Sequence, residues 1–139
     1  FADRYPHELS GGMRKRVALA QTLVTDPDIL LMDESFSALD IQTRQLMENE
    51  LLEIWQSAKK AVLFITHDLD EAVSMSDRVV VLSAGPASHP IGNFPIELPR
   101  PRNVVEIRTT HDFLACHEAI WNVLRDEVMK SYRQHRDSI

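Results

Sequence analysis

The sequence has little of what several classes of protein require. Cys116 is the single cysteine among 139 residues, which excludes an internal disulfide framework and agrees with a reducing compartment. No apolar run approaches the roughly 20 residues that cross a bilayer. The first residues, FADRYPHEL, have neither the basic start nor the apolar core of a signal peptide. We therefore expect one globular domain in the cytosol, and the non-methionine Phe1 suggests a piece of a longer domain.

An excess of basic charge is also lacking. Fifteen Lys and Arg residues stand against 21 Asp and Glu residues, which gives a formal net charge of −6. This balance argues against sequence-independent binding to nucleic acid, because such binding neutralises many phosphates. The basic run at residues 14–16 is expected to form a solvated helix face. The six histidines and Cys116 show no zinc-binding spacing, so no structural metal is predicted.

Apolar segments that alternate with helical patterns indicate the fold class. The short runs ILLM (29–32) and AVLFI (61–65) predict strands that are buried on both faces, and RVVVL (78–82) predicts a third strand. Helices are predicted after Ser10, Asp40 and Asp68, each of which is a good N-cap residue. Strand–helix–strand–helix–strand with short links predicts an α/β fold with a parallel sheet core and flanking helices.

The composition changes after the third predicted strand. Residues 83–102 are rich in proline, which leaves room for a loop and for short edge strands around residues 91–98. Thr110 is expected to cap a last helix, and the tail RQHRDSI is expected to fray. The predicted apolar face of this helix consists of Phe113, Ile120, Trp121, Leu124, Val128 and Tyr132.

Acidic and imidazole side chains follow two of the predicted strands. Asp33 and Glu34 come directly after the first strand, and His67 follows the second. Ligands of open parallel sheets bind beyond the carboxyl ends of the strands, so these three side chains are candidates for one shared site. A carboxylate there suits Mg²⁺, for which Asp33 is the candidate. Glu34 is the candidate general base, and His67 is a candidate donor to phosphate oxygens.

Two helix starts carry further candidates. Ser10, Gly11 and Gly12 place backbone N–H groups at a helix N-terminus, where a phosphate can approach without meeting a Cβ. Asp40 precedes the second helix. Each feature also has a purely structural interpretation: SGG and Asp40 as ordinary N-caps, the Asp-Glu pair as a solvated turn, and His67 as a hydrogen-bonded helix start. The residues alone leave both interpretations open.

Three segments, in their order and spacing, resemble the ATP-binding subunits of ABC transporters. They are LSGGMRKRVALAQTL, ILLMDESFSALD and VLFITHDLDEAVSMSDRVVVL, and together they cover roughly the first 85 residues. In that family LSGG (9–12) is the signature motif, ILLMDE (29–34) is the Walker B strand, SALD (37–40) is the D-loop, and His67 is the switch histidine. The resemblance divides the chain into an ATPase part, residues 1–85, and a C-terminal extension, residues 86–139.

The resemblance implies roles for the candidate residues. Asp33 would help to hold Mg²⁺, Glu34 would polarise the attacking water, and His67 would contact the γ-phosphate. Ser10, Gly11 and Gly12 would meet the γ-phosphate of an ATP that is held mainly by a second nucleotide-binding subunit. Asp40 would lie at the interface of that dimer. Further implied partners are transmembrane permease subunits and, indirectly, a solute-binding protein, with the ATPase peripheral on the cytoplasmic membrane face.

The extension resembles the subgroup that serves import of nitrate, sulfonate, taurine or related anions. Two departures from the family pattern matter. Ser35 stands where proline is usual, and the sequence contains no GxxGxGK[ST] phosphate loop. The chain thus matches the C-terminal portion of a P-loop-type nucleotide-binding domain and is expected to be inactive alone. Alternatives are a soluble ABC-type ATPase of DNA repair or translation, and a truncated cassette that only binds a partner.

Overall fold

The computed structural model describes residues 3–37 and 39–136, and for residues 130–136 it describes the backbone alone. The chain forms two compact units, Phe1–His67 and Asp68–Ile139. Both units contain helices and strands, which confirms the predicted α/β class. The predicted division of the chain at residue 85 is based on sequence motifs, whereas these two units are defined by packing. That division therefore stays a prediction.

The first unit contains two strands and two long helices. After a short 3₁₀ helix, Pro6–Glu8, come α1 (Gly11–Val24), β1 (Ile29–Asp33), α2 (Ile41–Ala58) and β2 (Ala61–Ile65). Strands β1 and β2 pair in parallel, in a register that runs from Ile29 opposite Ala61 to Asp33 opposite Ile65. The predicted strands, their parallel pairing and the two capped helices are therefore confirmed.

The prediction that these strands are buried on both faces is wrong. In β1, Leu30 and Met32 are buried, whereas Ile29 and Leu31 are 62% and 70% exposed. In β2, Leu63 and Ile65 are mostly exposed as well. An unbroken apolar run is typical of a strand covered on both faces, but within this unit only one face of β1 is packed.

The second unit contains α3 (Leu69–Met75), β3 (Arg78–Leu82), β4 (Pro90–Pro95), a 3₁₀ helix (Ile107–Thr109) and α4 (His111–Arg136). Strand β3 pairs with β4 in an antiparallel register, from Arg78 opposite Pro95 to Leu82 opposite Pro90. The expectation that β3 adds a third parallel strand is thus wrong for this structure, where the proline-rich segment provides its neighbour. The predicted edge strand near residues 91–98 is confirmed as β4.

The second unit has its own hydrophobic core. The buried side chains come from the helices, from β3 and from the segment after β4: Val73, Val79, Val81, Ile96, Leu98, Ile107, Phe113 and Ile120. In α4, Thr110 caps the helix by accepting a hydrogen bond from the Phe113 amide at 3.3 Å, as predicted. Trp121 and Val128, predicted for the buried face, are exposed. The Tyr132 side chain and residues 137–139 of the predicted fraying tail lie outside the described part of the chain.

Buried polar contacts also hold this unit together. Arg102 is 6% exposed, and its guanidinium donates to the carbonyls of Leu98 at 2.9 Å and Ser76 at 2.7 Å. Burial, and then the positive charge of Arg100, lower the pKa of the Arg102 guanidinium, while Asp77 opposes the shift. The buried Glu127 carboxylate accepts a hydrogen bond from the Ala84 amide at 3.1 Å, which ties α4 to the loop after β3. Along residues 3–37 and 39–136, no helix is long and apolar enough to cross a membrane.

Candidate active site

The start of α1 has the geometry of a capped helix with an open surface. Ser10 has an extended backbone, with φ −62° and ψ 163°, and its Oγ accepts a hydrogen bond from the Met13 amide at 3.2 Å. A Cβ added to Gly11 would meet no atom within 4 Å, and one added to Gly12 would make ordinary contacts with Leu39 and Thr43. Packing within the described chain therefore does not require either glycine. The space beside Gly11 is open in the described chain.

The starts of α1 and α2 lie side by side within the first unit. A Cβ on Gly12 would be 3.5 Å from Leu39 Cδ2 and 3.7 Å from Thr43 Cγ2. Asp40 caps α2, and its carboxylate accepts a hydrogen bond from the Thr43 amide at 3.0 Å. Hydrogen bonds from Thr43, first from its side chain and then from its amide, lower the pKa of the Asp40 carboxyl. The structure thus brings the SGG segment and Asp40 to neighbouring helix ends.

The chain turns sharply at the end of β1. Asp33 is the last residue of the strand and is exposed. The Glu34 amide continues the parallel ladder by donating to the Ile65 carbonyl at 2.9 Å, but the Glu34 backbone then takes a φ of 43°. This left-handed conformation is uncommon for a residue with a side chain and requires support from its surroundings. Ser37 gives part of that support, because its amide and hydroxyl both donate to the Glu34 carbonyl, at 3.2 and 2.9 Å.

Glu34 and His67 meet beyond the carboxyl ends of the two paired strands. Glu34 Oε1 lies 3.1 Å from His67 Nδ1. Both side chains are more than half exposed, so the contact by itself contributes little to stability. Since the Glu34 carboxylate accepts hydrogen bonds only, the contact is a hydrogen bond when Nδ1 of His67 carries a proton. The pair therefore places an acid and an imidazole within proton-transfer distance of each other at a solvent-accessible edge.

Lys15 belongs to this site although the sequence pattern suggested otherwise. The basic run was expected to be a solvated face, and Arg14 and Arg16 are exposed. Lys15 is only half-exposed, and its ammonium donates to the Ser35 carbonyl at 2.8 Å and to the Glu34 carbonyl at 3.4 Å. The expectation is therefore wrong for Lys15. No sequence motif could have signalled this contact, because both acceptors are backbone carbonyls.

The donor set at the strand ends fits a magnesium ion that is shared with phosphate. Asp33 offers one exposed carboxylate, and Mg²⁺ in nucleotide sites is bound through one or two carboxylates together with waters and phosphate oxygens. Among the described side chains, no group of three or more His, Cys, Asp and Glu residues could hold a metal ion without such help. These described residues therefore do not form a complete set of metal ligands by themselves. They fit a metal ion that is also bound by nucleotide phosphate oxygens.

Comparison with known proteins places the chain among nucleotide-binding cassettes. The profile of the ABC transporter family matches residues 1–37. An uncharacterised ABC transporter ATP-binding protein of Methanocaldococcus jannaschii, MJ0412, is 54% identical over 134 residues, which cover 96% of this chain and 48% of the relative. The nitrate import ATP-binding protein NrtD of Synechocystis is 43% identical, with coverage of 90% and 48%. The aliphatic sulfonates import ATP-binding protein SsuB of Bacillus cereus is 45% identical, with coverage of 74% and 41%.

A solved structure supports the same placement. It is the dimeric, post-hydrolysis state of the ATP-binding cassette MJ0796 bound to ADP and Pi. The alignment has a TM-score of 0.52 and 35% identity, and it covers 58% of this chain and 34% of the other. The chain spans about half the length of the relatives described above. Over the part that it represents, the chain resembles ABC transporter ATP-binding proteins in both sequence and fold.

Proposed function

We propose that this chain is the C-terminal portion of an ATPase subunit that energises import of a small solute. The observation that carries the proposal is the 3.1 Å contact between Glu34 and His67 beyond two paired parallel strands. An acid and an imidazole at that edge could act together on one phosphate and one water, because ligands of parallel sheets bind beyond the carboxyl ends of the strands. A turn with a purely structural role would not require a contact between these two side chains.

The proposed chemistry divides the labour among three side chains. Glu34 orients a water molecule and accepts its proton as that water attacks the γ-phosphate. His67 donates one hydrogen bond to a γ-phosphate oxygen and another, from Nδ1, to the Glu34 carboxylate, an arrangement that requires a proton on both ring nitrogens. The bond from Nδ1 keeps the carboxylate in place. Asp33 would hold Mg²⁺, which when bound offsets the negative charge of the phosphate oxygens. Most of the acceleration then comes from positioning and charge stabilisation.

The open space beside Gly11 at the start of α1 supports a second binding role. Ser10, Gly11 and Gly12 would present backbone N–H groups to the γ-phosphate of an ATP that a second nucleotide-binding subunit holds. Asp40 caps the neighbouring helix and would lie at the dimer interface. Two subunits would thus close over two nucleotides, and hydrolysis would let them separate. The dimeric state of the cassette MJ0796 is consistent with this arrangement.

The proposed solute is nitrate, a sulfonate such as taurine, or a related anion. Support comes from the named nitrate and sulfonate import relatives, whose similarity extends over most of the chain. The ATPase would bind transmembrane permease subunits at the cytoplasmic face of the membrane, and a solute-binding protein would act indirectly. Because the 139 residues contain no phosphate loop, this chain by itself is expected to be inactive.

The test replaces Glu34 by Gln in the protein as its gene encodes it. The amide keeps the size of the side chain but cannot take a proton, so we expect kcat for ATP hydrolysis to fall by about 10²-fold or more. ATP-bound dimers should accumulate in gel filtration with Mg-ATP. Glu50→Gln is the matched control, because Glu50 lies exposed on α2. Equal turnover of the two variants would remove Glu34 from the base role.

A non-catalytic binding module is the second candidate. The two candidates differ in what the protein does with nucleotide. Calorimetric titration of this 139-residue chain with Mg-ATP should show very weak binding if the chain needs a separate phosphate cradle. Tight stoichiometric binding without hydrolysis would instead support the binding module.

A further inference from the structure

The turn that carries Glu34 is restrained from an unexpected side. Lys15 is located on α1, 19 residues before Glu34 in the chain, yet its ammonium reaches two consecutive carbonyls of the turn. A hydrogen bond from a charged donor is stronger than one between neutral groups. The contact therefore fixes the backbone directly beside the carboxylate that meets His67.

The surroundings of Lys15 favour this pose over a solvated one. A cavity of about 280 Å³ lies between α1 and β1 and is lined by Lys15, Leu19, Met32 and Phe36, among others. The aliphatic stem of the lysine can cover this apolar surface while its ammonium bonds the carbonyls of residues 34 and 35. Arg14 and Arg16, on either side of it, are exposed. Only the middle residue of the basic run is directed at the turn.

The turn needs such a restraint for two reasons. Glu34 has a φ of 43°, a conformation that persists only where neighbouring contacts hold it. The next residue, Ser35, has no ring that fixes its φ, as a proline would. The Lys15 bond to the Ser35 carbonyl, at 2.8 Å, restrains this position from outside. Together with the two Ser37 bonds, it fixes where the Glu34 side chain begins.

We propose that Lys15 is a positioning residue for Glu34, which it holds in register with His67 by restraining the backbone of residues 34 and 35. This inference rests on the proposed function, since it gives Lys15 a part in hydrolysis. The lysine also joins two places that the function uses: α1, which starts at the SGG segment, and the turn that carries the base. A group bound at the start of α1 would thus be linked, through that helix and Lys15, to the turn of Glu34 in the same subunit.

The experiment compares three variants of the protein as its gene encodes it. Lys15→Met keeps the stem and removes the ammonium, Lys15→Arg keeps a donor, and Arg14→Met removes a neighbouring exposed charge as a control. We expect Lys15→Met to lower kcat for ATP hydrolysis by roughly tenfold to a hundredfold, because small misplacement of a reacting group has effects of that size. The KM for Mg-ATP should stay within about twofold, since binding is not altered. Lys15→Arg should restore most of kcat.

A double variant shows whether Lys15 acts through Glu34. If it does, adding Lys15→Met to Glu34→Gln should lower kcat by less than about twofold further, because groups that act as a unit are not additive. An active parent protein in which Lys15→Met and Arg14→Met have equal kcat would overturn the role of Lys15 alone. Full additivity in the double variant would overturn it too. A parent protein that hydrolyses no Mg-ATP would overturn the proposed function first, and the role of Lys15 with it.

Discussion

The two units of the chain differ in how completely each one packs its own strands. In the second unit, eight buried apolar side chains from helices and strands form one core, and Arg102 bonds several carbonyls within it. In the first unit, β1 buries Leu30 and Met32 but exposes Ile29 and Leu31. The candidate catalytic residues all belong to this less completely packed unit. The unit with the candidate site is thus the one whose strand faces are exposed in this structure.

The two units therefore differ in what their apolar and polar residues do. In the second unit, apolar residues pack against one another, and polar residues form hydrogen bonds within the unit. In the first unit, an apolar strand face and an acidic edge are exposed, and polar contacts restrain the turn that carries Glu34. Stability of the second unit and chemistry of the first should therefore respond to different substitutions. The following predictions test that separation.

The largest effect on stability is expected at Arg102. Replacing it with Met removes the donors that bond the carbonyls of Leu98, Ser76 and Ile96, and buried acceptors without partners are costly. We expect the free energy of unfolding to fall by about 3 kcal/mol, measured by urea denaturation followed by circular dichroism.

Arg125→Met is the matched control for this prediction, because Arg125 lies exposed on α4. It should change the free energy of unfolding by no more than about 0.5 kcal/mol. If Arg102→Met were equally mild, the buried carbonyls would not depend on that guanidinium. The contrast between a closed second unit and an open first unit would then rest on apolar packing alone.

A smaller effect is expected from the helix caps, and it should differ between the units. Thr110 caps α4, which supplies Phe113 and Ile120 to the core, so Thr110→Ala should lower the free energy of unfolding by about 1 kcal/mol. Ser10 caps α1, which buries no residue in the described chain. Ser10→Ala should therefore lower it by less than about 0.5 kcal/mol and reduce only helical content. Equal losses in urea denaturation would contradict the difference.

The smallest effect is a pH dependence that comes from Asp40. The pKa of its carboxyl is lower in the folded chain because Thr43 donates hydrogen bonds to it. Its stabilising effect is therefore complete above the unfolded value, about pH 4, and is lost as pH falls through the folded pKa. Asp40→Asn keeps a capping side chain without the charge. The difference in melting temperature between parent and variant should be constant near neutrality and shrink below about pH 4; a difference that grows with acid would refute this.

Local structure was readily predicted from the sequence because its signals are local. Ser10, Asp40 and Asp68 cap the three predicted helices, and each of the apolar runs forms a strand at the expected place. What covers a strand is decided by residues far along the chain. The run ILLM therefore predicted its strand correctly and its two-sided burial incorrectly. For the same reason, the apolar pattern of β3 did not predict that its neighbour would be the antiparallel strand β4.

The candidate site shows the same limit. The strand-end rule predicted that Glu34 and His67 lie near each other, and their side chains are in contact. The contact between Lys15 and the turn carried no sequence signal, because a lysine within a basic run resembles a solvated residue and its acceptors are main-chain oxygens. Neither the left-handed backbone of Glu34 nor the burial of Arg102 follows from residue type. Such features depend on three-dimensional surroundings that periodicity does not encode.

The parallel pairing of β1 with β2 sets strict counting rules for this region. Asp33 stands opposite Ile65, so Glu34 follows that last pair by one residue and His67 follows it by two. Inserting a single residue within either strand would shift its register by one and move the Glu34 or the His67 side chain to the opposite face. Whole turns added to the middle of α2 would leave the contact between these side chains intact. Insertions and deletions among homologous genes should therefore be concentrated in that connecting helix and avoid the two strands.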